Sequence, residues 1–121
     1  MPIIQIELSS KWPNDKKERL ASFVHTTMVD TVKIPEHDRL IRIIEHSSNN
    51  FYAPLNGSDN FVLILIEMFP GRDLQVKREL YKQLCTGMQE FGIAATDTRV
   101  VIHEIPKENW GIRGGKAGSD I

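Results

Sequence analysis

The feature that most constrains this chain is a repeat at a spacing of sixty residues. Ile4-x-Ile6-Glu7-Leu8 returns as Ile64-x-Ile66-Glu67-Met68, with the same alternation of apolar and polar positions that marks a strand. Leu20, Val24 and Met28, spaced along one face of a helix, are matched by Leu80, Leu84 and Met88. After a one-residue shift, Ile34, Asp38 and Ile43 match Ile93, Asp97 and Ile102. Each half therefore reads strand, helix, strand. A helical crossover joins parallel strands with a right-handed sense. The doubled unit predicts an α/β (α+β) chain: tandem β-α-β units, a four-stranded mixed sheet, and two helices on one face.

Local chemistry sets the boundaries. Residues 1–121 form a single domain, with pseudo-repeats at 1–46 and 61–105, a linker at 47–60 and a carboxy-terminal hairpin at 106–121. Asn14 or Asp15 is positioned to cap the first helix and Asp73 the second, with Gly92 ending the latter. The linker, Ser47 to Asn60, is rich in turn formers and carries Phe51 and Tyr52. Phe61-Val62-Leu63-Ile64-Leu65-Ile66 and Leu40-Ile41-Arg42-Ile43-Ile44 are apolar on both faces of their strands, yet two helices cover only one. The uncovered face implies a homo-oligomer whose sheets pack together.

Bulk charge narrows the partners. The net charge is -1, and no long Lys/Arg run is present to bind a phosphate backbone, so nucleic acid is disfavoured. No segment has the length or flanks of a membrane span or signal peptide, which places the expectation on a cytoplasmic protein without membrane association. The single cysteine, Cys85, falls on the apolar side of the second helix and reads as core packing. His25, His37, His46 and His103 show no metal-ligand spacing, and no glycine-rich loop follows a strand in the manner of a phosphate site. Neither a metal nor another cofactor is expected.

One residue carries candidate chemistry by position alone. Pro2 follows the initiator, so removal of Met1 would leave a free secondary amine. An α-amino group titrates near about 8, and apolar surroundings or a nearby cation lower it, giving a neutral base at working pH. The plain alternative is a proline at a strand start, where its missing N–H is harmless.

Three stretches make the chain resemble the tautomerase superfamily: Pro2-Ile3-Ile4-Gln5-Ile6, Arg99-Val100-Val101-Ile102-His103-Glu104, and Asn109-Trp110-Gly111-Ile112-Arg113-Gly114-Gly115-Lys116. They look like the start, second strand and terminal hairpin of 4-oxalocrotonate tautomerase. The fused length, Ile34-Pro35-Glu36-His37-Asp38-Arg39 and Tyr81-Lys82-x-Leu84 are more similar to the malonate semialdehyde decarboxylase branch. The resemblance implies a trimer of two-unit chains and a small carboxylate substrate, with the amino-terminal proline as base or acid.

The same resemblance suggests the remaining site residues. Arg72, in Pro70-Gly71-Arg72-Asp73, matches an arginine that grips substrate carboxylate, a task suited to a planar guanidinium fork. Arg99 matches a second arginine that reaches the site from a neighbouring subunit, and Trp110 an aromatic wall. Asp38 resembles an aspartate of the decarboxylase, although its repeat partner Asp97 argues for a turn role. Three positions depart from the family pattern. Pro70 stands where the decarboxylase branch has another arginine. Trp12 replaces the first-half arginine, leaving Lys11 as a partial substitute, and Val29 occupies the histidine position of the dehalogenase relatives. The expectation is a cofactor-independent tautomerase of small 2-oxo or enol acids. Decarboxylation of a 3-oxo acid, or an oligomeric binding role without turnover, are the alternatives.

Overall fold

The computed structural model describes residues 2–121. Strand β1 (Ile3–Leu8) leads into helix α1 (Asn14–Val32) and strand β2 (Ile41–Glu45); β3 (Val62–Met68), α2 (Leu74–Gly87) and β4 (Thr98–Glu104) repeat the unit. A small hairpin, β5 (Gly111–Ile112) and β6 (Lys116–Ala117), follows. The sheet order is β2-β1-β3-β4, with each unit internally parallel and the two units joined antiparallel through β1 and β3.

That central pairing turns the two units head to tail. Ile3 lies opposite Glu67 and Leu8 opposite Val62. Whatever precedes β1 therefore meets whatever follows β3, at one end of the sheet. The other end joins the exit of β1 to the entry of β3.

Alternation along the strands separates the faces. Ile4, Ile6, Leu8, Val62, Ile64, Ile66 and Met68 are buried beneath the helices with Leu20, Val24, Met28, Leu80, Leu84 and Met88. Each such side chain contributes about 1.5–3 kcal/mol of apolar burial. The opposite face carries Ile3, Gln5, Leu63, Leu65 and Val101, half-buried, with no helix across it. The sequence expectation of two helices on one face is met.

The helix ends differ from one another. Asp73 caps α2, its carboxylate accepting from Val76 N at 3.0 Å. The first helix departs from expectation: Pro13 holds the cap position, with no side-chain cap bond. Proline's fixed φ suits a helix entrance without needing one. The second helix passes at Gly87 into a 3-10 turn, Met88–Phe91, and stops at Gly92 with φ 79°, a left-handed conformation that favours glycine. Cys85 is half-buried, its thiol pointing to Thr98 O at 3.7 Å, and burial pushes its pKa up, so it packs rather than reacts.

Candidate active site

Pro2 is buried immediately before β1, on the parity of the helix-facing residues Ile4 and Ile6. The next residues fix its surroundings. Ile4 N donates to Leu40 O at 2.9 Å, and Ile3 pairs with Glu67, so Pro2 lies where β2 begins and β3 ends. Met1, whose removal the amine requires, falls outside the described residues.

Three other predicted residues come to this end. Arg72, half-buried, follows β3 and donates from Nη2 to Val32 O at 3.3 Å, at the carboxyl end of α1. That carbonyl is one of the unpaired acceptors of a helix terminus, so it steadies the guanidinium without neutralising it. Asp38, half-buried, sits just ahead of β2, its amide donating to Pro35 O at 3.0 Å in a turn. Trp110 is buried; its indole N–H donates to Ile105 O at 3.1 Å, and its ring meets Phe69 edge-on at 5.3 Å. Ile105 N in turn donates to Met68 O, which ties the aromatic pair to the end of β3.

Lys11 and Arg99 do not share this end within the chain. Lys11 is exposed beyond the far end of β1, in a cleft with Glu45 and His46. Six residues of strand, about 20 Å at 3.4 Å per residue, separate it from Pro2. Arg99 is exposed at the start of β4, opposite Leu63, with its guanidinium over the Phe61 ring at 5.6 Å. It too is about 17 Å of strand from the Pro2 end. The head-to-tail arrangement of the units is the reason: the start of β4 belongs to the opposite end of the sheet. Arg99 is available to a Pro2 site only on another copy of the chain.

A cleft of about 530 Å³ also lies at that far end, lined by Ser9, Ser48, Phe51, Leu55, Ser58 and neighbouring loop residues. Here Asp97 is buried and accepts from the Ser58 hydroxyl at 2.6 Å and the Ser58 amide at 3.2 Å. It anchors the linker, which accords with the turn role that its repeat position suggested.

Two aromatic residues went unplaced or unnamed in the sequence. Phe69 partners Trp110, as above. Phe51 packs against His46 at 5.4 Å and Phe61 at 6.4 Å. A signal for Phe51 exists: 3-10 turns at Ser48–Asn50 and Lys107–Asn109 each lead directly into an aromatic, Phe51 and Trp110, at the same 59-residue offset. The repeat runs through the linker.

Comparison with known proteins follows the same lines. A family profile described as tautomerase enzyme matches residues 38–113, and a second of the same description matches residues 2–54. The chain is 25% identical over 123 residues to "Probable tautomerase YusQ" of Bacillus subtilis (strain 168), covering 97% of each. It is 38% identical over 53 residues to a 2-hydroxymuconate tautomerase of Comamonas testosteroni, spanning 43% of this chain and 84% of that one. Among solved structures, native fused 4-OT superposes with a TM-score of 0.89 at 20% identity, covering 98% of both chains. FG41 malonate semialdehyde decarboxylase inhibited by 3-bromopropiolate gives 0.84 at 22% identity, covering 94% of this chain and 91% of that one.

Proposed function

The chain belongs to the tautomerase family and is an enzyme of tautomerase type; from that premise we propose that Pro2, freed by loss of Met1, is the base that moves the proton. The observation that carries the proposal is the burial of Pro2 at the one end of the sheet that also holds Arg72 and Trp110. A secondary amine kept from water, at the end of the sheet that carries the Arg72 guanidinium, favours its neutral form, since burial and a like charge both penalise the ammonium.

The reaction is then a proton relocation. Neutral Pro2 removes a proton from the enol hydroxyl, or from carbon next to the carbonyl in the other direction, and returns it to the alternate atom. Nothing is oxidised and no group is lost. Arg72 holds the substrate carboxylate through paired, charge-assisted hydrogen bonds. Trp110 and Phe69 supply the apolar wall. Arg99 of a neighbouring copy steadies the negative charge that develops on the carbonyl oxygen, the step at which fixed donors contribute most. No cofactor is needed for this chemistry. The substrate class is a small 2-oxo or enol carboxylic acid, and the uncovered sheet face supports a homo-oligomer. Fused 4-OT chains of this fold form trimers, which supports the trimer as the assembly here.

Intact mass of untagged protein, followed by spectroscopic assay on phenylenolpyruvate and 2-hydroxymuconate, tests the proposal. Processed protein is expected to lose about 10²- to 10⁴-fold in kcat on Pro2→Ala, the span typical of a positioned base. Retained Met1, or activity indifferent to Pro2, would overturn it. A second reading rests on Asp38, which stands at the same end: with a protonated Pro2 it would favour decarboxylation of a 3-oxo acid. Release of carbon dioxide from malonate semialdehyde, abolished by Asp38→Asn, distinguishes the two.

A further inference from the structure

The linker is fastened at its base and bare at its tip. Ser9 hydroxyl donates to Asp59 O at 2.6 Å and accepts from Phe61 N at 3.1 Å, while Ser58 is held by Asp97. Gly57 approaches so closely that an added Cβ would lie 3.0 Å from the Asp97 carboxylate and 3.3 Å from Pro54 O. Asp97 stands two residues before Arg99, whose guanidinium lies over Phe61, itself packed on Phe51. The loop and Arg99 are thus parts of one rigid corner.

On that corner two large apolar side chains have nothing to cover them: Tyr52 is 90% exposed and Leu55 fully so. At the opposite end, Leu40 is 51% and Leu74 57% exposed. These two flank the Pro2 end, Leu40 through its carbonyl bond to Ile4 N and Leu74 two residues after Arg72. Among the described residues, four of the six exposed large apolar side chains therefore fall as two pairs at opposite ends of one sheet. Exposed apolar side chains grouped at the rim of a site are natural points of contact for another chain. A patch that meets a different patch on the next copy makes a heterologous contact, and repetition of that contact closes a ring.

We infer that loop 51–56 of a neighbouring copy closes the mouth of the Pro2 site, with Tyr52 and Leu55 seated against the Leu40 and Leu74 patch. The inference rests on the reading in which a neighbour's Arg99 serves Pro2, because the corner that delivers Arg99 carries the loop with it. The loop is then the apolar outer wall of a shared site and discriminates by the bulk and polarity of the substrate tail.

Two measurements decide it. In the first, a photo-cross-linking residue is placed at position 55 of the full chain (Leu55→p-benzoylphenylalanine). Adducts are expected between chains, on peptides containing Leu40 or Leu74. Adducts confined to the same chain, or to the sheet face, overturn the inference. In the second, the Tyr52→Ser/Leu55→Ser variant is expected to raise KM for phenylenolpyruvate about tenfold, and for the more polar 2-hydroxymuconate less, as loss of apolar pocket contact does. Co-assembly with Pro2→Ala copies, which have an intact loop but no base, should restore the low KM to a fraction of sites. An unchanged KM, or a raised KM that such copies fail to rescue, places the loop outside its neighbour's site. If Pro2→Ala leaves turnover intact, the proline reading fails separately, and the cross-link still decides the loop contact.

Discussion

The two ends of the sheet are built from equivalent residues and do different things. At one end stand Pro2, Arg72 and Trp110; the sixty-residue repeat, shifted to 59 late in each unit, sets Val62, Trp12 and Phe51 in the same places at the other. Val62 lies within a continuous chain behind Phe61, so it has no amine to offer. Trp12 is buried and stacks on Phe91 at 6.1 Å, with the Lys16 ammonium over its ring at 4.1 Å. The second end has exchanged charge for apolar packing. The scaffold beneath is shared: Lys17 pairs with Glu45 at 3.1 Å and Lys77 with Glu104 at 3.0 Å, at matching positions. Duplication preserved the frame and left the candidate site residues at one end.

The contrast is sharpest between Arg72 and Trp12. Arg72→Ala is expected to raise KM for a carboxylate substrate on the order of 10- to 100-fold, the worth of a charge-assisted pair, with the melting temperature almost unmoved. Arg72→Lys should recover part of that loss, because a lysine supplies charge without the fork. Trp12→Ala should do the reverse. Loss of a buried aromatic costs about 3–5 kcal/mol in denaturant unfolding, while KM in the surviving folded protein stays near wild type. A KM effect from Trp12 would mean that the second end takes part in binding.

Much of this was legible before the structure. The repeat alone led to the strand and helix order, because hydrophobic periodicity is local and Ile4, Ile6, Leu20 and Leu80 each declare a face. Pro2, Arg72 and Trp110 were legible as candidates, through the motifs they stand in. Which residues share an end was not. For Arg99 that depends on the antiparallel β1–β3 pairing, a contact between segments far apart in sequence, which carries it away from Pro2, whereas Lys11 is parted from Pro2 by the length of β1 itself. The absence of a side-chain cap on α1 was equally hidden, since Asn14 and Asp15 both have capping chemistry, yet the helix begins at Asn14 and leaves the cap position to Pro13. Phe51 was missed for a different reason: the turn-rich composition of the linker masked a repeat that its geometry retains.

The helix pair differs between halves as well. Gly87 in α2 lets the Phe23 ring of α1 approach until an added Cβ would lie 2.2 Å from Phe23 Cζ. Its counterpart in α1 is Thr27, buried, with its hydroxyl donating to Phe23 O at 2.8 Å. Gly87→Ala should therefore destabilise by about 1–3 kcal/mol, the usual range of overpacking costs, because the half-buried Phe23 ring, packed on Phe91, must shift. In a Phe23→Ala background the same change should stabilise by about 0.5–1 kcal/mol, the helix preference for alanine over glycine. A double-mutant cycle by chemical denaturation reads both signs. Equal effects in the two backgrounds would show that the ring does not set the helix approach.

The smallest difference lies in the paired lysine–glutamate bridges. Glu45 accepts from Trp12 N at 2.7 Å as well as from Lys17, and these bonds, the backbone one foremost, hold its carboxyl below the usual carboxylate range. A depressed folded-state pKa contributes stability that is present in full above the unfolded value, about 4.3, and is lost as pH falls through the folded one. Glu45→Gln should therefore lower the denaturant midpoint at pH 7, and the gap from wild type should close as the medium is taken below the folded pKa. Glu104 pairs with Lys77 at 3.0 Å and is partly exposed, so Glu104→Gln should shift the midpoint less at neutral pH, within the small range of exposed ion pairs. Equal shifts from the two substitutions would mean that the Trp12 amide and the Lys11 charge, which the second bridge lacks at the matching Gly71, add nothing to the first unit.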